Sequence, residues 1–200
     1  MKFIRTLTIL LVGVPLLWTS GASAASVMFE FNSNDSVLET RLGGEFPLRA
    51  NTLRAGVGTL YGSDDYFLFS LDASAGNMVW GPDAFFYMGL KGFFGLLELR
   101  PKDADIMGVA FLLGGEFEPY RIGNLPVVFD GHVAGALGPM NFGDNDGFLE
   151  FRTTAGLDFL ADRRGGFFVG YRYLHFGLDD DFSQGGVSKN EVFLGLRFRY

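Results

Sequence analysis

Beyond residue 24, apolar and polar residues alternate along the chain, and no apolar run approaches the length of a membrane-spanning helix. The clearest example is FLEFRTTAGLDF, residues 148–159. Its odd-numbered positions are mostly apolar, while its even-numbered positions include Glu150, Arg152 and Asp158. Because successive side chains of a strand point to opposite faces, this segment predicts a strand with one apolar and one charged face. Repeated short segments of this kind are typical of a transmembrane β-barrel.

The number of strands follows from clusters of turn-forming residues. Nine such clusters interrupt the alternation, at residues 33–36, 47–51, 62–65, 76–83, 100–105, 119–126, 138–147, 161–166 and 179–190. We therefore predict an all-β fold, a closed antiparallel up-and-down transmembrane barrel of ten strands. Eight strands is the alternative, because residues 26–32 are short and residues 85–94 and 106–117 are apolar on both faces. In those two segments Gly89, Lys91, Gly108, Gly114 and Glu116 mark the inner side.

A secreted β-sandwich would also show alternating strands. Its polar face would be solvated and rich in Lys and Thr, whereas the polar positions here are rich in Gly, Arg and Glu. Such residues suit a crowded barrel interior, so the barrel is the favoured interpretation.

The first 24 residues have the pattern of a secretory signal peptide. Lys2 and Arg5 precede the apolar run 7–18, and residues 22–24, Ala-Ser-Ala, form a small-residue cleavage site. We predict a signal peptide over 1–24, a barrel domain over 25–200, and export to the bacterial outer membrane. The chain has no cysteine, which excludes a lipoprotein anchor, disulfides and thiolate metal sites. Its net charge of -7 argues against nucleic acid as a partner.

The final ten residues, EVFLGLRFRY, place an apolar stripe at alternate positions up to an aromatic terminus. A closed barrel has no free edge, so this strand is expected to pair with the first strand, SVMFEFN. The stripe resembles the C-terminal signature of bacterial outer-membrane barrels, which the barrel assembly machinery reads. The resemblance implies an assembly signal formed by Leu194, Leu196, Phe198 and Tyr200.

The chain as a whole resembles YfaZ-family outer membrane proteins. The resemblance is carried by the signal peptide, the Gly-rich and aromatic-rich strands, GYRYLHF at 170–176 before an acidic loop, and the closing FLGLRFRY. It covers the chain after the signal peptide. It implies location and fold, without an established activity, catalytic residue or cofactor.

The inner face carries nearly balanced charges. We predict a luminal charge network formed by Glu39, Arg41, Arg54, Asp130, His132, Glu150, Arg152, Arg172 and Arg197. In a narrow barrel, pairs of arginine and carboxylate should bridge and fill the lumen. The expected function is a structural or interaction role in the envelope. The alternatives are a narrow pore for small solutes and a barrel enzyme acting on lipid or peptide.

Two groups of residues are candidate catalytic sites. Asp130 and His132 share the inner face and resemble the Asp-x-His pair of omptin proteases. The obvious candidates for the further acidic pair, Asp64 and Asp65, are consecutive, so on a strand they would point to opposite faces. We interpret the histidine as hydrogen-bonded to a carboxylate inside the barrel.

The second group is His175 with the acidic run Asp179–Asp181 and Ser183, the residue types of a Ser-His-acid lipid hydrolase. We interpret it as a solvated acidic loop. No catalytic residue, cofactor or metal site is predicted.

The loops assigned to the outside are acidic. They carry eleven acids, at 35, 64, 65, 98, 103, 105, 144, 146 and 179–181, against Arg100, Lys102 and Lys189. Such a rim repels lipopolysaccharide phosphates unless divalent cations bridge them, so weak, unspecific association of Mg²⁺ or Ca²⁺ is expected. The other expected partners are outer-membrane lipid, lipopolysaccharide and the barrel assembly machinery.

Overall fold

The computed structural model describes residues 26–63, 66–99, 102–160, 164–179 and 185–200. The predicted signal peptide, residues 1–24, lies outside this part of the chain. Two short 3-10 turns, Gly81–Asp83 and Gly138–Met140, accompany the strands. Among the described residues, no helix is long and apolar enough to cross a membrane. The strands are β1 Ser26–Ser33, β2 Val37–Pro47, β3 Thr52–Gly62, β4 Tyr66–Met78, β5 Ala84–Leu97, β6 Ala104–Ile122, β7 Leu125–Ala136, β8 Asn141–Gly143, β9 Asn145–Asp158, β10 Gly165–Leu178 and β11 Gly186–Arg199.

Ten of these strands close into a barrel. Each pairs antiparallel with its neighbours in the order β5-β4-β3-β2-β1-β11-β10-β9-β7-β6, and the β5–β6 pairing completes the ring. The three-residue β8 pairs only with Ile106–Gly108 of β6, where β7 does not reach. The predicted ten-stranded antiparallel barrel is confirmed. The eight-stranded alternative and the sandwich are wrong, because all ten long strands belong to one closed sheet.

The largest differences from the predicted strand boundaries are in β6 and β11. β6 continues through the expected turn at 119–126 as far as Ile122, and a register shift between Phe117 and Tyr120 accommodates Pro119. β11 begins at Gly186, although residues up to 190 were assigned to a loop. The polar residues 188–190 hide this strand in the sequence, yet they pair in register with His175, Leu174 and Tyr173 of β10.

The two ends of the barrel are distinguished by the chain termini. We call the end where β1 begins and β11 finishes the terminal end, and the opposite end the distal end. At the terminal end Tyr200 and Val27 exchange two backbone hydrogen bonds of 2.8 Å. The ring therefore stays closed up to the last residue of the chain.

The outward face is apolar around the whole barrel. In β5 the outward side chains Phe86, Met88, Leu90 and Phe94 are 46 to 57% exposed, while the inward Lys91 is buried. The segments that are apolar on both faces thus keep strict alternation, and the inward side chains of β5 and β6 pack into the lumen. The barrel therefore presents a continuous apolar outer surface and a filled interior.

Candidate functional site

Buried ionic side chains cross the middle of the lumen and form what we call the charged belt. Its central carboxylate, Glu30, is 1% exposed and accepts hydrogen bonds from Arg152 Nη2 at 2.9 Å and Arg197 Nε at 2.6 Å. Glu30 lies on β1 and Arg152 on β9, with two strands between them, so this pair spans the lumen. The belt consists of Glu30, Glu39, Arg41, Asp72, Lys91, Glu150, Arg152, Arg172, Glu191 and Arg197.

Further bridges of the belt run in other directions across the barrel. Glu39 accepts a hydrogen bond from Arg172 and another from Asn32 Nδ2 at 2.5 Å. Lys91 of β5 donates to Glu150 of β9. Because these carboxylates contact donors from strands that are not their neighbours, the belt ties distant strands together through the lumen and obstructs it.

Inward-facing aromatic rings pack against the belt, and glycines make room for them. The guanidinium groups of Arg152 and Arg172 lie 5.2 and 5.3 Å from the centre of the Phe193 ring. A Cβ atom on Gly170 would overlap Phe193, and one on Gly195 would overlap Phe168. The glycines of the inner face therefore allow large rings to lie flat against the neighbouring strand, where they meet the arginines.

A smaller ionic group closes the terminal side of the lumen. Arg54 Nη2 lies 2.6 Å from Glu45 Oε1, and its guanidinium lies 4.1 Å from the centre of the Phe85 ring. Glu116 Oε2 lies 3.6 Å from Arg54 Nη2 and 3.3 Å from Arg199 Nη2. A cavity of about 60 Å³ remains between this group and the belt, with space for only a few waters.

The distal part of the lumen is filled by hydrocarbon side chains. Phe93 and Phe148 stack with their ring centres 4.1 Å apart, and Phe176 lies 5.5 Å from Phe148. We call this group the apolar cluster; it includes Val37, Leu60, Leu68, Phe93, Leu97, Ile106, Phe148, Leu174, Phe176 and Leu178. Sequence reasoning predicted only charge pairs in the lumen, so it missed this second obstruction.

The inward pair Asp130 and His132 does not form a catalytic dyad. His132 is buried and places Nε2 3.4 Å from Glu150 Oε1. Asp130 Oδ1 instead lies 3.6 Å from Arg152 Nη1. The proposed partners of an omptin-like site, Asp64 and Asp65, lie outside the described residues.

On the outer face, His175 lies next to Ser188, a serine that the sequence pattern does not indicate. His175 Nδ1 lies 2.8 Å from Ser188 Oγ, and the Tyr173 hydroxyl lies 3.4 Å from the same oxygen. Residues 180, 181 and 183 lie outside the described part of the chain. Within the described ranges, no carboxylate makes a hydrogen bond or ion pair with His175, so this contact lacks the third member of a triad.

The distal loops carry acids that contact other protein groups. Asp144 Oδ2 accepts a hydrogen bond from the backbone N–H of Asp105 at 3.0 Å, and its Oδ1 lies 3.6 Å from Lys102 Nζ. The described residues contain no cluster of three or more His, Asp or Glu with metal-binding geometry.

The residues predicted as an assembly signal lie on the outward side of β11 near the terminal end. Leu194 and Leu196 are 54 and 40% exposed, Phe198 is half-buried, and Tyr200 is 81% exposed. Phe198 pairs with Phe29 of β1 and with Gly165 of β10. The stripe therefore belongs to the strand that closes the barrel.

A second candidate site is an opening in the wall between β1 and β11, which we call the notch. β1 ends at Ser33 opposite Leu194, so residues 186–193 of β11 have no strand on that side among the described residues. A cavity of about 520 Å³ fills this gap; it is lined by Ser33, Asn34, Asp35, Ser36, Val37, Tyr66 and residues 189–194.

Tyr66 separates the notch from the lumen. From β4 its hydroxyl donates across the barrel to Glu191, and Lys189 Nζ lies 5.9 Å from the centre of its ring. Sequence reasoning missed this role because Tyr66 follows an acidic turn and has no charged or repeated pattern around it.

The comparisons with known proteins identify no family. No protein-family model and no curated protein matches the chain. Among solved structures, a chain from work on the in-meso crystallization of membrane proteins is 11% identical with a TM-score of 0.39, over 88% of this chain and 83% of that one. A bacterial polysaccharide outer membrane secretin is 8% identical with a TM-score of 0.42, over 88 and 64%. The Acinetobacter baumannii outer membrane protein Omp33 is 10% identical with a TM-score of 0.32, over 88 and 97%.

Proposed function

We propose that this chain is an integral barrel of the bacterial outer membrane, with a closed lumen and a structural or interaction role in the envelope. The observation that carries the proposal is a closed barrel with an apolar outer face and a lumen obstructed at two levels. A relationship to the YfaZ family, export through a cleaved signal peptide over residues 1–24, and insertion by the barrel assembly machinery are parts of the same proposal.

The outer surface supports the membrane location. Soluble monomers seldom expose a contiguous apolar patch beyond a few hundred Å², whereas here outward apolar side chains surround the barrel. Exposed or half-buried aromatic residues lie on both sides of the middle of this surface, with Tyr173 towards the distal end and Trp80 and Tyr120 towards the terminal end. Aromatic girdles of this kind mark the two membrane interfaces of outer-membrane barrels.

The purified wild-type barrel is expected to conduct at or near the level of the empty bilayer. The charged belt and the apolar cluster both obstruct the lumen, and an ion would have to displace both. Single-channel recording in a planar bilayer measures this, with a general porin as the positive control. Reproducible open-channel steps from the wild-type barrel would favour the narrow-pore alternative instead.

The barrel orientation gives a second expected result. A protease-cleavable tag inserted at Gly185, at the distal end, should be cut on intact cells. The same tag at Gly123, in the turn between β6 and β7, should be protected until the outer membrane is permeabilised. Heat-modifiable gel migration verifies that both insertion variants are folded barrels. Cleavage only at Gly123 would invert the assigned orientation.

The proposed role is non-catalytic. Lipopolysaccharide and outer-membrane lipid are the proposed surroundings, and weak association of Mg²⁺ or Ca²⁺ with the acidic distal loops would reduce repulsion of lipopolysaccharide phosphates. The contact between His175 and Ser188 is the observation that favours the enzyme alternative. With no third group among the described residues, it supports a surface hydrogen bond better than a hydrolase.

A further inference from the structure

The notch leaves part of the barrel wall unpaired. β11 makes thirteen residue pairs with β10 but only six with β1. The hairpin between β1 and β2 turns at residues 34–36, so it ends well below the start of β11 at Gly186. An open strand edge of about eight residues therefore remains on the outer wall.

The open edge presents backbone hydrogen-bonding groups to the notch. Antiparallel strands exchange hydrogen bonds at every second residue. The two backbone hydrogen bonds between Tyr200 and Val27 show that even-numbered residues of β11 point their N–H and C=O groups towards β1. At Val192 the carbonyl accepts from Asn34 Nδ2 at 2.9 Å instead of from a strand. One pair further on, Asn190 turns its N–H and C=O into the notch, where no described strand pairs with them.

The position of the notch, together with the proposed membrane location on which this inference rests, points to an amphiphile. Val192 and Leu194 are 64 and 54% exposed and form its lower lip, at a depth where alkyl chains would contact them. Tyr171 pairs with Val192 at the level of this lip, and Tyr173 pairs with Asn190 closer to the distal end, so the upper part of the notch lies beside Tyr173. The site thus has an apolar lower part and a polar upper part.

The lining selects the head group by charge and by hydrogen-bonding type. Within the lining, Asp35 balances the cation Lys189, and Glu191 is already engaged by Tyr66 and Arg172, so the lining has no excess of positive charge that would favour a phosphate head. The other polar groups are hydroxyls and amides, from Ser33, Ser36, Asn34 and Asn190, and the Tyr66 ring lies beside them. Hydroxyls, amides, a carboxylate and an aromatic ring together match the donors, acceptors and apolar faces of a sugar ring.

We propose that the notch binds an amphiphile with an uncharged saccharide head, a glycolipid of the outer leaflet. The sugar occupies the cavity of about 520 Å³ and hydrogen-bonds to Asp35, Asn190 and the open edge of β11. The alkyl chain lies along Val192 and Leu194. Tyr66 keeps the sugar out of the lumen, so binding requires no opening of the barrel.

Fluorescence quenching in nanodiscs tests the site. In the chain starting at residue 25, Trp80→Phe removes the only tryptophan, and Leu38→Trp places a reporter on β2 beside Ser33, outside the cavity lining. Leu71→Trp on β4 is the matched control, since this residue is outward and 55% exposed but remote from the notch. The probe is dodecyl maltoside brominated on its alkyl chain, added at low mole fraction to phosphatidylcholine nanodiscs.

The expected result is saturable quenching at position 38 and weak, linear quenching at position 71. Unlabelled dodecyl maltoside should reverse the saturable quenching at position 38, whereas dodecylphosphocholine should not. The double variant Asp35→Ala/Asn190→Ala, which keeps the turn residue Asn34, should raise the half-saturation point about tenfold through lost hydrogen bonds. Identical quenching at both positions would overturn the site, and equal reversal by dodecylphosphocholine would overturn recognition of the sugar.

The same samples separate this inference from the membrane assignment. Brominated phosphatidylcholine should quench both reporters, because both face the alkyl chains in an inserted barrel. Absence of that quenching at both positions would overturn the membrane location itself, and the notch proposal with it. Quenching by the brominated lipid without saturable quenching by the maltoside would overturn the notch proposal alone.

Discussion

Replacing Arg152 with alanine is expected to lower the thermal unfolding midpoint of the barrel by about 10 °C, corresponding to about 3–5 kcal/mol. Arg152 is 1% exposed, and its guanidinium lies 2.9 Å from Glu30 and 3.6 Å from Asp130. Among the ion pairs of the described residues, its removal leaves both carboxylates with Arg197, at 2.6 and 4.0 Å. A buried charge that loses its partner costs several kcal/mol, because water cannot replace that partner.

The measurement is the temperature at which the folded, fast-migrating form disappears on a gel. The surface variant Lys102→Ala is the matched control; its ion pair with Asp144 is largely exposed, so its loss should cost at most about 1 kcal/mol. Adding Glu30→Gln to Arg152→Ala should recover part of the loss, since it removes one stranded charge. Equal midpoints for Arg152→Ala and Lys102→Ala would show that the belt contributes little to stability.

The fold could be predicted from the sequence because alternation and strand number are local properties. In β9 the charged Glu150 and Arg152 fix which face is inward, and the period of two then assigns every other residue. In β5 a single charged residue, Lys91, identifies the inward face among apolar neighbours. Turn clusters supplied the number of strands, and the largest boundary differences fall where turn-forming or polar residues continue a strand, in β6 and β11.

The apolar cluster could not be predicted from alternation alone. Phe93, Phe148 and Phe176 point inward, while Phe94, Phe151 and Phe167 point outward, and the residue type does not distinguish the two groups. Inward and outward phenylalanines are distinguished only by the alternation within each strand, which the inward charges Lys91 in β5 and Glu150 in β9 fix. A large inward ring also needs a small residue opposite, a relation between strands that the linear sequence does not display.

The contacts between side chains across the lumen could not be predicted from the sequence, for a geometric reason. Asp130 and His132 lie two residues apart on one inner face, which suggested a joint role. Their contacts come from other strands, with His132 reaching Glu150 and Asp130 reaching Arg152. Which side chains meet depends on strand stagger and barrel diameter. The notch escaped prediction for the same reason, because the stagger decides that β1 ends opposite Leu194.

Replacing Phe198 with aspartate, or deleting Tyr200, is expected to abolish folded barrel in the outer membrane of cells. Phe198 lies on the outward face between Phe29 and Gly165, and a charge on a lipid-facing position costs up to about 2–4 kcal/mol depending on depth. Tyr200 contributes the last two backbone bonds of the seam, both to Val27. Both residues also belong to the proposed assembly signal.

The two variants separate burial in lipid from recognition by the assembly machinery. After unfolding in urea, the chain lacking Tyr200 should refold into detergent micelles close to wild type, because refolding in vitro needs no machinery and only one residue pair is lost. Phe198→Asp should refold poorly in micelles as well, whereas the apolar Phe198→Leu should behave like wild type in both settings. The measurements are heat-modifiable migration of cell envelopes and of refolded samples. Wild-type envelope yield of both Phe198→Asp and the Tyr200 deletion would contradict the membrane assignment of this strand, because a lipid-facing seam cannot tolerate a charge without loss.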